Sequence, residues 1–258
     1  MAFKLGDLII DRIQMGVAED FDGNLLYTLT QLSEATIDIT ADSVDATDKD
    51  GALIKRFWRA KTGTFTATNA LLNMNIIAAK SGDDVEIATE DNIVTMPKIV
   101  TVKSGETVDI TGYIDGTVVV YALSENGAMG SSYDVGTSAS DTAYSISSDV
   151  LTPPTDEDET QYLVKYDRSV TEGMHLYSST DSIPDTIKLT LKALCVDPCE
   201  ADTLRACYIV LPSFQPSPEL SITLSTESTL DYSGDLQVDY CSADKVLYEI
   251  YYATEDEE

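Results

Sequence analysis

The sequence predicts an all-β protein with one flanking α-helix, its strands wrapped as a β-sandwich or barrel. Three observations carry that expectation. Short segments of alternating apolar and polar residues recur along the chain with turn signals between them. One stretch alone, Ala70 to about Lys80, combines a wide apolar face with caps at both ends. Hydrophobic residues make up 43% of the 258, enough for a core in a chain of this length and too many for a disordered one.

Taken in order, Leu8 to Glu19 reads as a strand with imperfect alternation around Asp11 and Arg12. Asp22-Gly23-Asn24 is a tight turn, and Leu25 to Leu32 returns as the partner. Ala35 to Ala41 alternates cleanly, with Ala35, Ile37, Ile39 and Ala41 on one face and Thr36, Asp38 and Thr40 on the other. Asp42 to Gly51 carries Asp42, Asp45, Asp48 and Asp50 and reads as an acidic loop closed by the Asp50-Gly51 turn. Leu53 to Lys61 and Thr64 to Thr68 follow as strands separated by Gly63, with Phe65 and Ala67 facing inward. Thr68 or Asn69 then caps the helix, and Gly82 stands just past its end. Within that helix Leu71, Met74, Ala78, Leu72, Ile76 and Ala79 form the apolar face, and Asn73 and Lys80 mark the wet side. So short a helix needs a sheet to pack on.

Beyond Gly82, Ile99 to Val102, Thr107 to Thr111 and Thr117 to Leu123 form a meander with glycine turns between. Glu125 to Ser140 is small and polar and reads as a long loop, and Thr142 to Ser147 as a short strand. Leu151 to Thr160, with Pro153, Pro154 and a run of acids, is the sharpest break. Strands resume at Tyr162 to Tyr166, Gly173 to Tyr177, Thr186 to Leu194 and Leu204 to Leu211. Pro212, Pro216 and Pro218 mark an irregular crossing. Leu220 to Leu224, Leu236 to Tyr240 and Val246 to Tyr252 complete the set. The expected organisation is a single β-domain over residues 1–254, an acidic solvated tail over 255–258, and a strand pattern over 98–151 compatible with a small inserted β subdomain.

The order of these elements, together with the wording TDKDGALIKRFWRAKTGTFTATNALL and the late LYEIYYA, resembles the major tail tube proteins of long-tailed bacteriophages. The resemblance covers roughly residues 7–97 and 186–252. It implies a tail tube fold, a structural virion protein of the phage tail made in the host cytoplasm, and self-assembly into hexameric rings stacked as a conduit for DNA delivery. It also implies a tape measure protein in the bore, tail-tip and tail terminator partners, and DNA that passes through without specific binding.

Charge bears on the same question from the residues alone. A net charge of −29 argues against nucleic-acid or anionic-membrane binding, which call for basic patches. It leaves open a repulsive role toward DNA and a plain role in keeping an edge-rich β protein soluble. Lys55, Arg56, Arg59 and Lys61 place four of the chain's 16 basic residues within seven positions, beside Phe57 and Trp58. One reading sets this basic strand against Asp42, Asp45, Asp48 and Asp50 of a neighbouring subunit, where opposite charges register an assembly. The other pairs the two elements within one chain. Thr36 and Asp38, on a polar strand face, are the candidate bore-facing residues.

Catalysis finds no foothold. His175 is the single histidine, and the chain has neither a Gly-x-Ser-x-Gly elbow nor a phosphate-cradling glycine loop. Aligning Gly51 as an EF-hand glycine puts Ala46 and Phe57 at ligand positions, so that reading fails. The spacing of Cys195, Cys199, Cys207 and Cys241 lacks a second pair for zinc. No stretch reads as a secretion signal or membrane span, so cytoplasmic synthesis and reduced thiols are expected. No cofactor, metal or membrane partner is expected. An exposed β-sandwich binding or adhesion module is the alternative function.

Overall fold

Alternation along the chain produces seventeen strands and one helix among the described residues of the computed structural model. Those residues are 7–198, 203–226, 229–238 and 244–257, with the backbone alone described from 254 onward. In chain order the elements are β1 (Ile9–Glu19), β2 (Leu25–Leu29), β3 (Leu32–Thr47), β4 (Leu53–Asn69), α1 (Met74–Ser81), β5 (Glu86–Ala88), β6 (Val94–Lys103), β7 (Val108–Asp109) and β8 (Val119–Leu123). There follow β9 (Met129–Gly136), β10 (Ala143–Ser147), β11 (Val150–Thr152), β12 (Gln161–Val170), β13 (Gly173–His175), β14 (Ile187–Val196), β15 (Leu204–Pro216), β16 (Leu230–Leu236) and β17 (Glu249–Glu257). They divide into two units, Met1–Asp84 with Leu176–Glu258, and Val85–His175. The 98–151 span of the sequence reading falls inside the second unit.

The first unit is one antiparallel sheet in the order β2-β1-β14-β15-β16-β4-β3, with β17 also on β15. It curls until β1 approaches β3, a near-closed barrel. Its centre is an aromatic cluster. Phe65 meets Phe214 edge-on at 5.8 Å, Tyr232 stands 6.4 Å from Phe65 and 5.7 Å from Phe214, and all three are buried. Edge-to-face contact suits the ring quadrupoles and adds about 0.5–1.5 kcal/mol per pair beyond burial. The Tyr232 hydroxyl finds a partner in the Tyr27 hydroxyl at 2.8 Å. Burial pushes the Tyr27 phenol up to about 12, so this pair stays neutral and hydrogen-bonded at physiological pH.

The prolines enter the sheet without breaking it. β15 runs through Pro212 to Pro216, and its pairing with β14 shifts between Ile187↔Phe214 and Leu189↔Leu211. The extra β15 residues there form a bulge, a position that tolerates a missing N–H. Leu220 to Leu224 is not a strand, and β17 starts later than the sequence reading has it and runs through Glu257, which stands opposite Arg205. The backbone of the expected solvated tail is thus paired as far as Glu257.

The helix begins later than its periodicity suggests. Asn73 is the N-cap, its side-chain oxygen accepting the Asn75 N–H at 2.9 Å, and Asn69 instead donates its side-chain amide to the Leu71 carbonyl. Gly82 ends the helix in the left-handed region at φ 71°, its N–H on the Ala78 carbonyl, as a C-terminal glycine does. Ile76 and Ile77 are buried, while Leu71 and Leu72 precede the helix and stay exposed. Lys80, expected on the wet side, is 2% exposed. Its ammonium donates to the Asp231 carbonyl at 3.0 Å, tying α1 to β16, and loss of hydration lowers its pKa.

The second unit holds a sheet in the order β6-β12-β8-β9-β10-β11-β7, in which β9 and β10 are the parallel pair. Its core is rich in tyrosine. Tyr133 meets Tyr162 edge-on at 5.5 Å, and their hydroxyl ends reach Asp156, while the Tyr144 hydroxyl donates to the Val118 carbonyl. β9 lies within the stretch read as a loop from Glu125 to Ser140; Tyr133 turns inward there and gives the polar segment its anchor. The incoming strand β5 pairs with the outgoing strand β13, and Glu86 Oε2 lies 3.0 Å from His175 Nδ1.

There is no room for a side chain at Gly234, where a Cβ would sit 2.2 Å from the Gln215 carbonyl oxygen and 2.6 Å from the Phe214 ring. Gly234→Ala is therefore expected to destabilise the first unit by about 1–3 kcal/mol, the usual cost of overpacking, read as a lower midpoint in urea unfolding.

Candidate assembly surface

Strands β3 and β4 form one continuous hairpin. Near its base the core-facing set is Ile37, Ile39, Gly63, Phe65 and Ala67, as the alternation predicts. The stretch read as an acidic loop is instead mostly strand: β3 continues through Asp42 and Asp45 to Thr47, and only Asp48 to Ala52 turns. Ser43, Val44, Ala46 and Thr47 supply the strand propensity between those acids. Gly63 does not interrupt β4; it pairs with Ile39 on one side and Leu236 on the other. The turn is locked by Asp48, whose carboxylate accepts the Asp50 and Ala52 N–H groups at 2.9 and 2.8 Å.

Every β4 residue from Leu53 to Thr62 is exposed, so the outer half of the hairpin buries neither face. A two-stranded ribbon of this kind is marginal by itself in water. Yet it carries Val44, Leu53, Ile54, Phe57 and Trp58 as exposed apolar groups, Trp58 at 65%. Cross-strand register sorts them. Asp45 stands opposite Arg56 and Ser43 opposite Trp58; Val44 stands opposite Phe57 and Ala46 opposite Lys55.

Charges on this arm are partly matched within it. Arg56 grips the Asp45 carboxylate with two bonds, Nε to Oδ1 at 2.7 Å and NH2 to Oδ2 at 2.9 Å, and lies 5.6 Å from the Trp58 ring centre. Lys55 lies 5.1 Å from the Phe57 ring and Lys49 lies 3.9 Å from Asp50. The forked bond to Arg56 holds the Asp45 carboxyl below the usual range and raises the guanidinium. Lys55, Arg59 and Lys61 have no carboxylate partner among the described residues. The structure thus brings Asp45 and Arg56 together in one chain and leaves three cations of the same arm unmatched.

Thr36 and Asp38 lie on the other, outward face near the hairpin base, both exposed. Register places them in rows that cross three strands: Thr36–Thr66–Ser233, Asp38–Thr64–Asp235 and Ser33–Thr68–Asp231. Thr40 and Thr62 extend the face, their hydroxyls 3.1 Å apart. It is a surface of hydroxyls and carboxylates with no lysine or arginine at these positions. Asp231, Ser233 and Asp235 were absent from the sequence-derived set, although the alternation of LDYSGDL over 230–236 signals an outward polar row.

Among the described residues no group of three histidine, cysteine or acidic side chains is placed to hold a metal. Cys195 and Cys207 are buried free thiols, and the Cys195 thiol donates to the Arg205 carbonyl. Cys199 and Cys241 lie outside the described residues. Among the described residues no helix is long and apolar enough to cross a membrane.

Residues 7–246 match the YomU/Tube protein family. The chain belongs to that family, a phage tail tube family. No curated protein matches it. Membership in the YomU/Tube family gives the chain a structural role in the phage tail tube and a homo-oligomeric habit, and it indicates no catalytic family.

Because Arg56 depresses the Asp45 pKa in the folded arm, the pair strengthens the arm above the ordinary aspartate range and is lost as pH falls through the lowered value. Carbon-detected NMR titration should place Asp45 below the ordinary aspartate range, and Arg56→Ala should raise it back toward that range.

Proposed function

We propose that this protein assembles into hexameric rings that stack into the tail tube and conduct DNA into the host. The match to the tube family over residues 7–246 carries the reading. The arm supports it: exposed on both faces, with aromatics and unmatched cations, it fits a contact between subunits. Asp42, Asp45, Asp48, Asp50, Lys55, Arg56, Arg59 and Lys61 belong to that contact in this reading, with Asp45 and Arg56 stiffening the arm and Lys55, Arg59 and Lys61 facing the neighbour. Charges at such a site steer and register assembly more than they add raw affinity.

The polar face around Thr36 and Asp38 suits the wall of the bore. Phosphates find no positive charge among these hydroxyls and are repelled by Asp38, Asp231 and Asp235, so DNA slides past without sticking. A tape measure protein would occupy the bore before DNA, and tail-tip and terminator proteins would close the two ends.

Negative-stain electron microscopy of the purified protein at high concentration, with and without salt, tests the assembly. Salt screens repulsion between acidic subunits. Hollow tubes of uniform width are the expected result, with Arg59→Glu remaining monomeric and folded; monomers alone under all conditions would sink self-assembly. For the bore, the double substitution Asp38→Lys with Asp235→Lys is expected to leave tubes intact and to make them retain single- or double-stranded DNA in co-sedimentation, whereas the wild type retains none.

A further inference from the structure

The barrel of the first unit is left unclosed along one seam. Among the described residues β2 pairs with β1 only over Gly16 to Glu19, so the same edge of β1 from Ile9 to Met15 has no hydrogen-bonded partner strand, and β3, which approaches it, pairs with β4 alone. Between these two free edges lies a cleft of about 450 Å³, walled by Ile10, Ile13, Leu32, Ala35 and Ile37 with Phe65 at its floor. Its size falls within the ~300–1,000 Å³ of pockets that receive small organic groups. Beside it the backbone is turned outward: Glu34 has φ +50°, and the register of β3 shifts between Ser33 and Thr36. Glu34 lines this cleft and also the polar groove beside Thr66 and Asp231, and it is exposed and, among the described residues, without an ion pair.

We propose that this cleft receives Trp58 from the arm of a second copy of the chain. The inference rests on the assembly reading above and names the surface on which the arm lands. Three observations fit the occupant to the site. First, Trp58 is the chain's only tryptophan and is 65% exposed, the residue type most often found as a buried anchor at interfaces. Second, the charges complement one another. Lys61, unmatched and set on the Trp58 face of the ribbon by the pairs Ala41↔Lys61 and Ser43↔Trp58, meets Glu34 at the rim; Asp11, also at the rim, is already held by Arg12 at 2.6 Å. Third, the arm cannot reach its own cleft. Ser43, opposite Trp58, lies eight residues beyond Ala35 on the same continuous strand, roughly 26 Å away at the rise of an extended chain.

Donor and acceptor therefore occupy different surfaces of one subunit, and the contact is head to tail. Such a contact repeats: it closes into a ring where the rotation allows and otherwise runs on as a filament. One knob and one cleft per subunit suffice for either.

Fluorescence of Trp58 reads the proposal directly in the unmodified protein. On assembly its emission is expected to shift to the blue and its quenching by acrylamide to fall several-fold. Glu34→Lys, a change at an exposed residue, should abolish or strongly weaken particle formation while leaving circular dichroism unchanged, and Lys61→Glu in the same chain should restore it. Particles in which Trp58 stays as open to acrylamide as in the monomer would overturn the docking and leave the tube reading standing. Normal assembly of Glu34→Lys would do the same. An absence of wild-type particles at every concentration would overturn both.

Discussion

The inward aim of Phe65 sets the frame for the first unit. A strand's side chains alternate, so once Phe65 is held edge-on by Phe214 and Tyr232, Gly63 and Ala67 must also face in and Thr62, Thr64, Thr66 and Thr68 must face out. Phe214 can pack against the backbone of β16 because Gly234 has no side chain to collide with its ring. From that anchor β4 runs outward past the edge of the core, and the same strand that is half-buried at Phe65 is bare at Trp58. Arm, polar face and cleft floor are three consequences of where one ring points.

Charge is then distributed unevenly over a strongly acidic chain. With 45 acids against 16 bases, cations are scarce, and four of them sit within seven positions of the arm. Elsewhere single bases serve the fold, as Lys80 does by bonding the Asp231 carbonyl and Lys188 by reaching Glu19 at 3.2 Å. The polar rows on β3, β4 and β16 have no cation at all, so they face outward as an unbroken field of carboxylates and hydroxyls. Attraction is concentrated on one projection and repulsion on one face. That division fits the assembly proposed above.

Much of this was legible in the residues because period-two alternation reports which way a side chain points. Ala35, Ile37 and Ile39 against Thr36 and Asp38 fixed the orientation of β3, and Phe65 with Ala67 did the same for β4. What misled was chemistry that alternation does not weigh. Asp42 and Asp45 look like a loop, yet on a ribbon exposed on both faces an acid meets water as readily as it would in a turn, and Asp45 gains Arg56 besides. Lys80 looked wet because its partner is a carbonyl on a strand 151 residues further on, far outside any helical window. The seam between β1 and β3 and the row on β16 arise only when distant segments meet, which no local pattern records.

The pairing of β5 with β13 has a consequence for how this chain can vary. The second unit is entered and left on adjacent strands, and on the barrel side of the junction Asp83 accepts the Ser179 N–H at 2.8 Å and a hydroxyl from Ser182. The two loose ends that excision would leave are already fastened together. No strand of the first unit's sheet pairs with a strand from β5 to β13, so the segment has the connectivity of a cassette: exchange for a larger or smaller module, or for a short link, breaks none of the pairings that make up the barrel.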